Sequence, residues 1–209
     1  MIALLLNGIK IGFCVTGSFC TLASVLTQMK KLKEHGAELH PVLSNAVAAT
    51  DTRFTTAKAF REQVEAISGR TAIDSIVDAE PFGPINKMDL MLIAPCTGNT
   101  LAKLVNAITD TPVTMAAKAH LRNQRPLLLA IATNDGLGSN AKNIGMALNL
   151  KNVYMVPFRQ DDPIKKPNSL VADMEKIMDA ALMALKKIQI QPIIIGGKIF
   201  NITHDNNAR

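Results

Sequence analysis

A doubly wound α/β domain with a mostly parallel sheet is the fold class this sequence predicts, and three observations predict it. Apolar runs alternate with amphipathic segments along nearly the whole chain. The runs are continuous rather than alternating in polarity, as strands buried on both faces are. Small polar turns follow the runs, and right-handed crossovers gather such turns at the carboxyl ends of the strands, where these folds bind ligands. The expectation is a single three-layer α/β/α Rossmann-like domain over residues 1–195, followed by a C-terminal tail over 196–209.

The first ten residues hold too short an apolar segment for a secretory signal, and a short strand or a leader is expected there. Lys10 to Thr16 is a strand ended by Gly17-Ser18. Phe19 to His35 carries Leu22, Val25, Leu26, Met29 and Leu32 at helical spacing, with Gly36 beyond its end. Glu38 to Leu43 is the next strand, closed by Ser44-Asn45, and Thr55 to Ile67 is a helix closed by Gly69. Pro81, Gly83 and Pro84 exclude regular structure from the loop Asp78 to Lys87.

Leu90 to Ile93 is the central strand. Ala94-Pro95 closes it, Cys96 to Thr100 forms a turn, and Leu101 to Val105 starts a helix with Asn99 or Thr100 as N-cap. Pro112 opens a helix running to about Asn123. Leu127 to Ala132 is a strand, Gly138 to Leu148 a helix and Val153 to Pro157 a short strand. A proline-broken polar loop spans Phe158 to Asn168. Ser169 to Ile188 is the longest helix, with Leu170, Met174, Ile177, Ala181 and Leu185 on one face, and Ile193 to Ile195 is a last edge strand.

Composition narrows the function classes. The formal charge is +6, but the basic residues are scattered among acids, and one Tyr with no Trp offers almost no stacking platform for bases. Small anionic ligands suit the charge, and nucleic acid is not expected. No apolar run is long enough to span a membrane. Three cysteines fit neither a disulfide framework nor a zinc spacing, so no metal is expected and a reducing cytoplasm is. Cys14 and Cys96 sit among apolar or small residues, as structural thiols do.

Four turns share the predicted rim: Thr16-Gly17-Ser18, Ser44-Asn45, Thr97-Gly98-Asn99-Thr100 and Thr133-Asn134. A strand that feeds a helix through such a turn presents unpaired backbone N–H groups, which suit a phosphate; an ordinary capped connection gives the same pattern. His120 is the one histidine in the helix after the central strand, a candidate acid or base or else a surface or interface residue.

The stretch Ala94 to Lys103, APCTGNTLAK, resembles the Pro-Ala-Ser-Ala-Asn-Thr signature of the flavin-containing cysteine decarboxylase family. The Thr16-Gly17-Ser18, Ser44 and Asn134 turns match its other landmarks in order, over roughly Lys10 to Pro157. The resemblance implies FMN in these turns, held by Gly17, Ser18, Ser44, Thr97, Asn99 and Thr100, and a homo-oligomer, a trimer or a multiple of one. Pro81 stands where that family has its catalytic histidine, no histidine occurs from Ala66 to Lys118, and Thr133-Asn134 replaces a Met-Asn clamp. Thiol decarboxylation is therefore not expected.

Further blocks are similar to the B subunits of dipicolinate synthases: TDTRF (Thr50 to Phe54), AEPFGP (Ala79 to Pro84), AAKAHLRN (Ala116 to Asn123), ATNDGLG (Ala132 to Gly138), NIG (Asn143 to Gly145) and KPNSLVA (Lys166 to Ala172). This resemblance implies the mother-cell cytoplasm of a sporulating bacterium and a separate A subunit that resembles a nicotinamide-binding dehydrogenase and carries NAD(P). Together the pair converts dihydrodipicolinate to dipicolinate. Arg53, Asn134, Lys118, Arg122 and Arg159 are then the candidates for holding a dianionic substrate. A chain that binds substrate for its partner without redox chemistry is the alternative.

Overall fold

The structure is a computed structural model that describes residues 4–83, 85 and 87–196. The chain runs β1 (Lys10–Val15), α1 (Leu22–Glu34), β2 (Glu38–Leu43), α2 (Asn45–Ala49), α3 (Ala57–Ser68), α4 (Ile76–Ala79), β3 (Leu90–Cys96), α5 (Gly98–Val105), α6 (Pro112–Leu121), β4 (Leu127–Thr133), α7 (Ala141–Asn149), β5 (Val153–Met155), β6 (Phe158–Asp162), β7 (Lys166–Ala172) and α8 (Ile177–Leu185). Every residue of β3 is buried, as are all but the first of β1 and all but the last of β4. That explains their unbroken apolar sequences: no face of these strands meets water.

The sheet order is β2-β1-β3-β4-β7-β6, with β5 also paired to β4. β1 to β5 are parallel to one another, and β7 lies antiparallel to both β4 and β6. The outer edge of β4 is shared. Leu127 to Leu129 pair with β5, and Ala132 and Thr133 pair with Val171 and Leu170 of β7. Helices α1 and α8 pack together on one face against β3 and β4, while α6 covers the other face across β1 to β4. The chain order reverses between β1 and β3, which makes their carboxyl ends the crevice of the doubly wound sheet.

Helix starts follow side-chain caps. The hydroxyls of Thr56 and Ser75 accept from the Ala59 and Asp78 amides at 3.1 and 3.0 Å, and Thr111 and Thr114 form a reciprocal capping box ahead of Pro112. Gly69, at φ 72°, ends α3 in the left-handed conformation.

The structure departs from expectation in five segments. Residues 5–8 form a turn, not a strand; Leu6 is buried and its amide donates to His35 O at 2.9 Å. The loop after residue 78 holds a short 3-10 turn, Glu80–Phe82, with Phe82 buried. The central helix begins earlier than expected, at Gly98, because Thr97 is the cap rather than Asn99 or Thr100. The polar loop from Phe158 and the start of the predicted long helix form the β6–β7 hairpin, so the helix proper is only α8. The free upper edge of β4 recruits Leu170 and Val171 into the sheet, and Asp173 then caps a 3-10 turn into α8 through the Glu175 amide at 3.2 Å. The expected Ile193 to Ile195 strand is a single parallel bridge, Ile194 on Phe158. Apart from Gly196, the tail 196–209 lies outside the described residues.

His120 is fully buried near the amino end of β4, where its Nε2 donates to Pro126 O at 2.8 Å. Burial pushes its pKa down to about 4. The unfolded chain titrates it near its ordinary value, about 6.5, so the folded state binds fewer protons in between. Its stabilising contribution is complete above about pH 6.5 and is lost as pH falls toward 4, by up to about 3 kcal/mol. Denaturant unfolding followed from about pH 7 to about pH 4 should show this loss, and His120→Gln, which keeps a donor for Pro126, should reduce the slope.

Candidate cofactor and substrate site

One buried hydroxyl ties the two central turns together. Thr16 Oγ1 donates to Pro95 O at 2.7 Å and accepts from the Thr97 amide at 3.0 Å, joining the ends of β1 and β3. Ala94–Pro95 is a cis peptide, and the register of β3 on β4 shifts between Ile93 and Cys96. Thr97 then caps α5 by accepting from the Thr100 amide at 3.3 Å. The amides of Gly98 and Asn99, first in the helix, have no partner within it and point out of its amino end.

The other turns complete the rim. After β1, the Ser18 amide donates to Thr16 O at 2.8 Å and Ser18 O accepts from the Thr21 amide and hydroxyl, while the Ser18 side chain makes no capping bond. After β2, the Ser44 amide donates to Val15 O at 3.0 Å, and its hydroxyl caps α2. After β4, Asp135 accepts from Thr133 Oγ1 and from Asn140 Nδ2 at 2.9 and 2.8 Å. These bonds hold the Asp135 carboxyl below its ordinary range, Thr133 contributing most and Asn140 next. Asn143 Nδ2 donates to Asn140 Oδ1 at 2.7 Å, so the loop is braced to α7.

Two adjoining clefts open on this rim and share Gly17 and Thr97. The larger, about 710 Å³, runs from the Gly17-Ser18 turn past Arg53-Phe54 and Thr133-Asn134 to the β6–β7 hairpin. The smaller, about 520 Å³, runs between Ser44-Asn45 and the start of α5 to Asp110-Thr111. Each is of the size that holds a cofactor or small ligand.

The sequence-predicted residues divide by position. Gly17, Ser18, Thr97, Arg53 and Asn134 line the larger cleft; Gly17, Ser44, Thr97, Asn99 and Thr100 line the smaller. Lys118, His120 and Arg122 line neither. Helix α6 starts at the rim with Thr111 and runs back beneath the sheet, so its last turn lies at the opposite end, with His120 on Pro126 and Arg122 beside Gly83. His120 is thus neither exposed nor near the rim, and its lowered pKa follows from burial. Arg159 is also off the clefts; its partner is Asp173, at 3.5 Å. Burial pushes the Cys96 thiol up to about 12 and Cys14 still higher, so both are inert.

Sequence reasoning missed Phe19, Phe54, Asp161, Lys166, Ser169 and Leu170 as lining residues. Four of them belong to the hairpin, which the sequence disguised as a loop and a helix start. Phe54 carried a signal in its place in the TDTRF block beside Arg53, and the structure leaves it 52% exposed. Its ring lies 4.8 Å below the guanidinium carbon.

FMN is a planar ring system, apolar at one edge and polar at the other, with a polar chain ending in a phosphate, and the rim fits such a group. A Cβ built on Gly17 meets only ordinary contacts, at 3.5 Å from Ala46 and Phe19, so folding alone does not require glycine there. Gly17 instead leaves bare backbone facing both clefts, next to a Ser18 hydroxyl that makes no capping bond and the α5 amides.

Parallel strands in this order, with a phosphate-type rim at the β1–β3 reversal, define a flavoprotein-type α/β domain. Comparison with known proteins agrees: the flavoprotein family matches residues 4–189. The B subunit of dipicolinate synthase from Bacillus subtilis (strain 168) is 48% identical over 190 residues, 91% of this chain and 95% of that one. The crystal structure of the dipicolinate synthase B subunit from Bacillus halodurans C superposes with a TM-score of 0.84 at 46% identity, covering 91% of this chain and 98% of that one. The chain belongs to the flavoprotein family, in the branch that holds the B subunits of dipicolinate synthases. The crystal structure of AnUbiX (PadA1) in complex with FMN and dimethylallyl pyrophosphate shares the fold alone, with a TM-score of 0.59 and 17% identity over 92% of this chain and 99% of that one.

Two glycines separate ligand contact from folding. A Cβ on Gly98 would lie 2.4 Å from Thr133 Oγ1 and 2.5 Å from Asn140 Nδ2. Gly98→Ala should therefore destabilise the protein by about 1–3 kcal/mol. Gly17→Ala should unfold like the parent yet bind FMN at least about tenfold more weakly, because the new methyl occupies backbone the cofactor approaches. Thermal unfolding and flavin titration of both variants check this.

Proposed function

We propose that the chain is the B subunit of a two-component dipicolinate synthase, acting with a separate A subunit that carries NAD(P). In this reading it holds FMN at the β1–β3 rim and binds dihydrodipicolinate beside it for oxidation to dipicolinate. The observation that carries the reading is the coincidence of an FMN-compatible rim with 48% identity to the B subunit of a dipicolinate synthase. The reaction removes two electrons and two protons from a six-membered ring and makes it aromatic. FMN, when bound, supplies the acceptor for a hydride. The chain's own residues bind and orient: the α5 amides and the Ser18 hydroxyl take the phosphate, Arg53 takes a substrate carboxylate, and Asn134 offers a neutral hydrogen bond. Homo-oligomerisation, as a trimer or a multiple of one, and residence in the mother-cell cytoplasm of a sporulating bacterium belong to the same proposal.

A second reading has its own support. Among the described residues no histidine lines either cleft, and Asp161 is the one carboxylate lining the larger. A site without a base that titrates near neutrality suits binding and delivery of substrate to the A subunit, without redox chemistry in this chain.

Dipicolinate formation separates the two. The assay combines the A subunit, nicotinamide cofactor and dihydrodipicolinate, with and without this chain and with and without FMN. The first reading expects FMN to raise the rate only when this chain is present. A rate that needs the chain but ignores FMN supports the second reading, and a rate indifferent to the chain overturns both.

A further inference from the structure

Lys166 opens β7, and its ammonium donates to the Asp161 carboxylate at 2.7 Å. Both side chains line the larger cleft, as Arg53 does. The two cations arrive from unrelated parts of the chain, Arg53 from the loop after α2 and Lys166 from the hairpin. Their tethers differ. Among the described residues Arg53 is paired with no carboxylate; its partner is the face of Phe54. Thr52 fixes that loop, its hydroxyl accepting from the Phe54 and Thr55 amides at 3.2 and 3.3 Å, while Asp51 accepts from the Ala57 amide at 2.8 Å. Lys166 is held by a carboxylate, but at 50% and 39% side-chain exposure that ion pair adds little to stability. Asp161 above all keeps the ammonium charged, above the ordinary lysine range.

We infer that Arg53 and Lys166 are the two cationic contacts of a dicarboxylate site, and that Asp161 is an internal competitor which holds Lys166 until a ligand carboxylate displaces it. This rests on the dicarboxylate substrate proposed above. Replacing one carboxylate by another leaves the ammonium paired at both stages, and the displaced Asp161 carboxylate, 39% exposed, is left to water. A ligand with a single carboxylate satisfies one cation and cannot displace Asp161 while also engaging Arg53. The arrangement therefore favours dianions, and the exposed Phe54 ring offers a face to a flat one.

Calorimetric titration of the full chain, with and without FMN, tests this with pyridine-2,6-dicarboxylate and pyridine-2-carboxylate as probes. The dicarboxylate should bind about tenfold more tightly than the monocarboxylate or better. Arg53→Gln and Lys166→Gln should each weaken the dicarboxylate about tenfold and remove most of the preference. Asp161→Asn should act in the opposite direction, tightening the dicarboxylate about threefold by freeing Lys166. A purely structural hairpin ion pair would instead loosen binding in Asp161→Asn. Unchanged dicarboxylate affinity in both Lys166→Gln and Asp161→Asn overturns the competitor while the proposed function stands. A parent chain that binds no dicarboxylate overturns both.

Discussion

The Thr16 hydroxyl is the interaction on which the rim depends. It is buried, 1% exposed, and it serves as donor to the last turn of one central strand and acceptor for the first residue after it. Without it, the buried Pro95 carbonyl would lose this partner, at about 1–3 kcal/mol, and the Thr97 amide would lose its tie to β1. Thr97 must stand where its own hydroxyl caps α5, and Gly98 must follow because no side chain fits between α5 and the Thr133–Asn140 brace. One hydrogen-bonded residue thus sets the spacing between a bare backbone turn and a helix amino end, the two parts that a phosphate-bearing cofactor engages.

The second constraint is the divided outer edge of β4. Its lower half continues the parallel sheet through β5, and its upper half takes the antiparallel hairpin. That swap places β6 and β7 beside the rim, where a further parallel strand followed by a helix would have left the cleft open. The hairpin supplies Asp161, Lys166, Ser169 and Leu170, so the same irregularity that breaks the parallel pattern makes the wall of the larger cleft. Ser169 Oγ reaches Asn134 Oδ1 at 3.4 Å, and the Leu137 amide donates to Asn168 O at 2.9 Å, coupling this wall to the loop after β4.

How far the sequence could be read follows from the same features. The buried strands and the four turns were legible because continuous apolar runs and hydroxyl-bearing turns are local signals. Gly17, Ser18, Ser44 and Asn134 belong to those turns and line the clefts, and Arg53, which also lines the larger, stood out through the TDTRF block instead. The hairpin was not legible: Leu170, Met174 and Ile177 lie at helical spacing, and only a vacant strand edge, contributed by β4, turns the first of them into sheet. Lys118, His120 and Arg122 lie off the clefts because residue type marks a candidate cation or base but not which end of a helix meets the rim. In a crossover only the first turn does, and here that turn is Thr111 to Thr114.

The dependence of the cofactor site on Thr16 is tested most directly by FMN titration, followed by flavin absorbance, of Thr16→Val against Thr16→Ser and the parent chain. Thr16→Val should still fold, by circular dichroism, yet bind FMN at least about tenfold more weakly, while Thr16→Ser stays near the parent. A folded Thr16→Val chain that binds FMN as tightly as the parent would contradict this, because the cofactor would not then depend on the join between β1 and β3.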